Sequence, residues 1–260
     1  PVMAEAPPAA PRVALLSTSD TDLLSARASG ADYRLANPAR QDIGPVLAGA
    51  QIAVLRVLGS SVEITDELAV LRANGVPVVV LGGERAPNAE LMECSTVPIG
   101  LAVQAHAYLA EGGPANLARL HAFLCDTVLL TGEGFEEPVL IPEWGYADRP
   151  AAPTGADLVR IGILYYRAHE VSGNAGFAHA LADAVDATGA GVGVPIFAAS
   201  LRSAPDDLFA ALGTLDAVVV CMLAAGGSTS ADVSAGGDDG AWDIDRIAAL
   251  DITVLQGLCL

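Results

Sequence analysis

Short unbroken apolar runs, each closed by glycine or a polar cluster, recur along this chain: VALLST (13–18), IAVLRVL (52–58), VPVVVL (76–81), VRIGILYY (159–166), GVPIFA (193–198) and DAVVVCML (216–223). A strand that is apolar on both faces must be covered on both, which is the habit of parallel sheets in α/β proteins. Helical spacing alternates with the runs, over 68–73, 99–109, 115–130, 175–187, 205–212 and 242–250, and a last strand falls at 252–255. Asn74-Gly75 and Gly189 act as helix stop signals. The expected fold class is therefore α/β: two open, mostly parallel βαβ domains of flavodoxin-like or Rossmann-like type, each with three layers.

Between 132 and 157 the period fails. Gly132, Gly134, Pro138, Pro142, Gly145, Pro150 and Pro153 interrupt any pattern, so this stretch reads as a linker whose Trp144 and Tyr146 pack against a neighbour. The expected organisation is an Ala/Pro-rich tail over 1–11, a first domain over 12–131, the linker over 132–157 and a second domain over 158–260. A parallel strand normally leads into a covering helix, and none follows 252–255, so the second domain is expected to continue beyond residue 260.

Composition removes several mechanisms. All 13 cationic residues are arginine, so neither a P-loop lysine nor a Schiff-base amine can be housed here. A net charge of −18 argues against nucleic acid as partner, since clustered cations supply most of that affinity. The longest strongly apolar uncharged run, AVVVCMLAA (217–225), is about half of the roughly 20 residues that span a bilayer, so no membrane partner is expected. Cys94, Cys125, Cys221 and Cys259 show no framework spacing, and no signal peptide is visible at the N-terminus. A reducing, cytoplasmic location is expected.

Few residues point to chemistry. GxSxG, HExxH and EF-hand patterns are absent. The glycines of Gly189 to Gly193 precede a strand rather than open a helix, which is the wrong context for a dinucleotide turn. The loop over 224–240, rich in Gly, Ser and Asp, follows a strand where α/β sheets place ligands, yet an acidic surface loop explains it better. His121 and Cys125 share a helix face at i and i+4, a spacing that suits a metal but leaves it short of ligands; core packing of Cys125, with His121 capped or partner-facing, explains them better. Ser17 to Asp22 reads mainly as cap and turn chemistry. The fullest cluster is YYRAH (165–169) with Gly173-Asn174, at the end of a strand. There Arg167 can meet a carboxylate, His169 can move protons near neutral pH, and Asn174 can cap the next helix.

Longer stretches carry a resemblance. LLSTSDTDLLSARASGADYRLANPAR (15–40), LRVLGS (55–60), LHAFLCDTVLLTGEGFEEP (120–138), ILYYRAHEVSGN (163–174) and LDITVLQGLCL (250–260) are similar to the N-terminal region of the CobN and magnesium chelatase H-subunit family. The resemblance runs from Arg12 to Leu260, and family members are several times longer. It implies a ligase that inserts Co(II), as substrate metal, into hydrogenobyrinic acid a,c-diamide during aerobic cobalamin synthesis. ATP and Mg2+ would act on the partner subunits CobS and CobT, which agrees with the missing lysine. The resemblance nominates Arg167, His169 and Asn174 as substrate-binding, leaves the catalytic residues unknown and expected mainly beyond residue 260, and implies no activity for this stretch alone. An acidic surface repels an anionic ring but attracts a divalent ion or a basic partner. The alternative is a stand-alone small-ligand module of periplasmic-binding or flavodoxin-like type.

Overall fold

The computed structural model of the chain describes residues 12–58, 65–149, 153–155, 157–201, 204–222 and 244–257. The expected tail over 1–11, the loop over 224–240 and Cys259 lie outside those residues. The described residues form two compact units, 12–140 and 141–257. Among them no helix is long and apolar enough to cross a membrane.

The first unit runs β1 (Val13–Ser17), α1 (Asp20–Ala28), β2 (Tyr33–Ala36), α2 (Gly44–Leu47), β3 (Ile52–Val57), α3 (Thr65–Asn74), β4 (Val78–Gly82), α4 (Ala89–Met92), α5 (Ile99–Glu111) and α6 (Gly113–Thr127). Its sheet is wholly parallel, in the order β2-β1-β3-β4. The unbroken apolar runs follow from coverage on both faces. Val13, Leu15, Ile52, Val54, Val79 and Leu81 pack against α1, α5 and α6, while Ala14, Leu16, Ala53, Leu55 and Val80 face α2 and α3. The outer edge of β4 is blocked by side chains: Val78 N donates to Thr96 Oγ1 and Val80 N to Ser95 Oγ, both at 2.8 Å. Such blocking keeps foreign strands off an edge.

The second unit runs β5 (Trp144–Tyr146), β6 (Val159–Tyr166), α7 (Arg167–Val171), α8 (Gly176–Ala187), β7 (Gly191–Ala198), α9 (Asp206–Leu212), β8 (Ala217–Val220), α10 (Ile244–Ala248) and β9 (Thr253–Gln256). The sheet order is β5-β7-β6-β8-β9, with only β5 antiparallel. One face (Ile163, Tyr165, Phe197) packs on Ala178 and Ala182 of α8; the other (Leu164, Ile196, Val218, Val220) packs on Leu208 and Leu212 of α9. Gly193 is where α8 lies closest to the sheet. A Cβ there would sit 2.4 Å from Ala182 Cα, so only glycine fits.

Counting only parallel strands in chain order, both sheets read 2-1-3-4. The strand β5 lies inside the stretch read as a linker: Trp144 pairs with Ala198 and Tyr146 with Ile196. The described part of that stretch is bound at several points. Tyr108 Oη donates to Glu136 O at 2.7 Å, and the Asn116 amide both accepts from Val139 N (2.7 Å) and donates to Val139 O (2.9 Å). Further on, Arg149 reaches Gly193 O, Asp183 and Asp186.

Candidate functional site

Open α/β sheets bind ligands at the carboxyl ends of their strands. At that end of β6 the chain passes from Tyr166 straight into α7, a helix of five residues. So short a helix has little stability of its own, and its N-cap residue makes no side-chain cap bond. It is held from outside. Tyr165, fully buried, donates its phenol proton to Glu170 Oε2 at 2.6 Å. Burial first, then the bond to Glu170 and its charge, push the Tyr165 phenol far above its ordinary range. Arg167, also buried, donates through Nε to Pro142 O (2.9 Å) and through Nη2 to Ile141 O (3.0 Å).

The exit from α7 is equally fixed. Gly173 adopts φ +73°, its N–H bonds Glu170 O at 3.1 Å, and Asn174 N bonds His169 O at 2.8 Å. This pair of bonds closing on a left-handed glycine is the Schellman C-cap. Asn174 therefore ends α7 with its backbone. The expected side-chain cap on α8 is not formed: the N-cap of α8 is Ala175, without a side-chain cap bond.

His169 stands between these fastenings. Its ring packs edge-on to Phe177 at 5.4 Å between centroids and tilted against Tyr166 at 6.2 Å. Among the described residues neither ring nitrogen has a hydrogen-bond partner, and neither is a buried orphan. Partial burial lowers its pKa below the usual value, so the imidazole is neutral near pH 7 and able to accept a proton. The structure thus brings Arg167, His169 and Asn174 to one strand end but gives them different surroundings. Arg167 grips backbone carbonyls, Asn174 closes a helix, and His169 presents open nitrogens.

The matching edge of the first unit is filled by its own chain. Ser19 caps α1 by accepting from Asp22 N at 3.4 Å, as cap chemistry implied. Asp22 accepts from Ser17 Oγ (2.6 Å) and pairs with Arg56 Nη1 (2.8 Å), while Arg56 also donates to Leu109 O (3.0 Å) and Gly83 O (2.9 Å). Arg56 and Asp22 are both buried. Asp20 is held by Arg40 at 2.9 Å and Asn37 at 3.1 Å. Two carboxylates in the first turn of α1 leave it poorly suited to an anion. Sequence reasoning overlooked Arg56. The signal was present: an arginine inside IAVLRVL (52–58), a strand covered on both faces, demands a buried acidic partner.

The remaining candidates lie in the first unit. His121 Nδ1 and Cys125 Sγ lie 3.6 Å apart, and His121 packs edge-on to Tyr33. Burial, with Glu133 nearby, pushes the Cys125 thiol up to about 11. Among the described residues no group of three or more His, Cys, Asp or Glu side chains is arranged to hold a metal ion. His106 is buried against Glu84 O at 2.8 Å, and burial lowers its pKa.

Comparison with known proteins adds an independent line. The profile of the family described as CobN/Magnesium Chelatase matches residues 106–260. An aerobic cobaltochelatase subunit CobN from Sinorhizobium sp is 28% identical over 191 residues, covering 65% of this chain and 14% of that protein. A solved structure, the catalytic subunit of cobaltochelatase from Mycobacterium tuberculosis, is 50% identical with a TM-score of 0.74, over 96% of this chain and 21% of that one. The chain thus spans between about a seventh and a fifth of the length of the relatives it matches.

Proposed function

The chain belongs to the CobN/magnesium chelatase family, and on that premise we propose that it forms the N-terminal part of the large subunit of an ATP-dependent cobaltochelatase. The observation that carries this reading is 50% identity, over 96% of the chain, to a cobaltochelatase catalytic subunit. A stand-alone ligand-binding module is not favoured, because the similarity to a chelatase subunit extends through nearly the whole chain. Within the proposal each unit is a flavodoxin-like domain, in keeping with the shared 2-1-3-4 strand order, joined by the segment over 132–157.

The reaction is insertion of Co(II) into hydrogenobyrinic acid a,c-diamide in the cytoplasm. ATP and Mg2+ act on CobS and CobT. This division of labour suits a chain whose 13 cations are all arginine. Metallation requires that ring N–H protons leave as the ion enters. Among the described residues, a neutral imidazole whose ring nitrogens have no hydrogen-bond partner suits that step, and the role falls to His169. Asn174, exposed beside it, is available to an amide or acid arm of the ring. Arg167 supports the edge from behind. The isolated stretch binds the tetrapyrrole and docks partners without turning over.

The test uses the full-length large subunit with CobS, CobT, ATP, Co(II) and the diamide. His169→Ala is expected to lower chelation about 100-fold, the scale of a lost proton acceptor. Unchanged chelation together with unchanged tetrapyrrole affinity removes the β6 edge from the site.

A further inference from the structure

Several groups of the 165–174 stretch are bonded within the second unit, whereas the His169 ring nitrogens have no hydrogen-bond partner among the described residues. Tyr165 is committed to Glu170, Arg167 to the Ile141 and Pro142 carbonyls, Ser172 Oγ to His169 O, and Gly173 and Asn174 to the closing turn. We infer that Tyr165, Glu170 and Arg167 are positioning residues, clamping α7 so that His169 is held in one orientation at the carboxyl edge of β6 with its nitrogens open to a ligand. This deepens the proposed function and rests on it for the identity of that ligand.

The physical case is the mismatch between the helix and its job. Five residues supply at most one turn of internal hydrogen bonds, so α7 cannot fix a side chain unaided. Two clamps enter from different sides. Tyr165 Oη reaches it from beneath, out of the strand core, and spans to Glu170, the neighbour of His169. Arg167 ties the first residue of the helix to two successive carbonyls of the incoming chain. Phe177 then closes the side, touching Tyr165 at 5.9 Å and His169 at 5.4 Å between ring centroids. The rings packed on His169 are those of Tyr166 and Phe177, and the charged group beside it in the chain is the Glu170 carboxylate that Tyr165 holds.

The experiment is a proton NMR titration of the four histidine rings in the intact chain without tetrapyrrole, the His169 signal assigned by its loss in His169→Gln. Tyr165→Phe removes the clamp bond while keeping the ring, and Arg167→Lys keeps the charge while losing the two-carbonyl grip. In each, the His169 midpoint is expected to rise by about half a pH unit toward the ordinary value. His106, in the other unit, is expected to stay put, and amide hydrogen exchange over β6 and β7 serves as the folding control for the second unit. Glu170→Gln retains an acceptor for Tyr165 and is expected to keep the parental midpoint. Folded Tyr165→Phe and Arg167→Lys proteins whose His169 signal is unmoved would overturn the inference. Because no ligand is present, that result is separate from any failure of the chelatase reading.

Discussion

The two sheets share a strand order, yet their carboxyl edges are finished in opposite ways. In the first unit the edge ends on a buried ion pair, Asp22 with Arg56, whose remaining contacts are Ser17 and the carbonyls of Gly83 and Leu109. In the second it ends on a half-buried imidazole with open nitrogens, above an arginine that holds backbone carbonyls. A common topology therefore supplies two potential sites, and side-chain chemistry decides that one is sealed and the other available. At the first edge the charged side chains bond one another and the chain's own carbonyls; at the second the His169 nitrogens have no hydrogen-bond partner among the described residues.

The largest expected effect comes from breaking the seal. Arg56→Met leaves the Asp22 carboxylate buried without its cation and is expected to cost about 3–5 kcal/mol in urea unfolding of the first unit. Replacing both partners, Asp22→Leu with Arg56→Met, is expected to cost less than Arg56→Met alone. Equal costs would mean that the pair is not a coupled seal. Arg167→Met in the second unit is expected to cost less, about 1–3 kcal/mol, as the carbonyls of 141 and 142 lose their donors. Hydrogen exchange should quicken over 141–146 and stay unchanged in α5 and α6. A cost matching that of Arg56→Met would erase the contrast between the edges.

The smallest effect is on pH dependence. His106 and His169, one in each unit, both have folded pKa values depressed by burial. The unfolded chain therefore takes up protons first as pH falls. The stability that each neutral ring represents is intact above about 6.5 and is lost as pH falls from there through the folded value. His169→Gln should flatten this loss for the second unit and His106→Gln for the first, read as unfolding midpoints between pH 7 and 5. If either substitution flattened both units equally, the two edges would not be independent.

How far these edges were readable from sequence differs by element. The strands β1, β3, β4, β6 and β8 were legible because coverage on both faces forces unbroken apolar runs. Two short strands were not. The strand β2 is four residues with an arginine, and β5 is three residues amid proline and glycine, so tertiary pairing rather than pattern makes them strands. The polar start of α1 read as a turn because a cap and a turn use the same residue types. Gly173-Asn174 was recognisable as punctuation, but the same pair can open or close a helix, and here it closes one. His169 could be nominated from its position after a strand. What Arg167 grips lies about 25 residues upstream, a pairing that no local pattern encodes.

The strand pairings of the first sheet all join residues between Val13 and Gly82, and those of the second all join residues between Trp144 and Gln256. Neither set waits on the other. On the ribosome the strands of the earlier sheet, and the Leu109 carbonyl that Arg56 grips, emerge before those of the later one, so the ion-paired edge can close while the histidine-bearing edge is still being made.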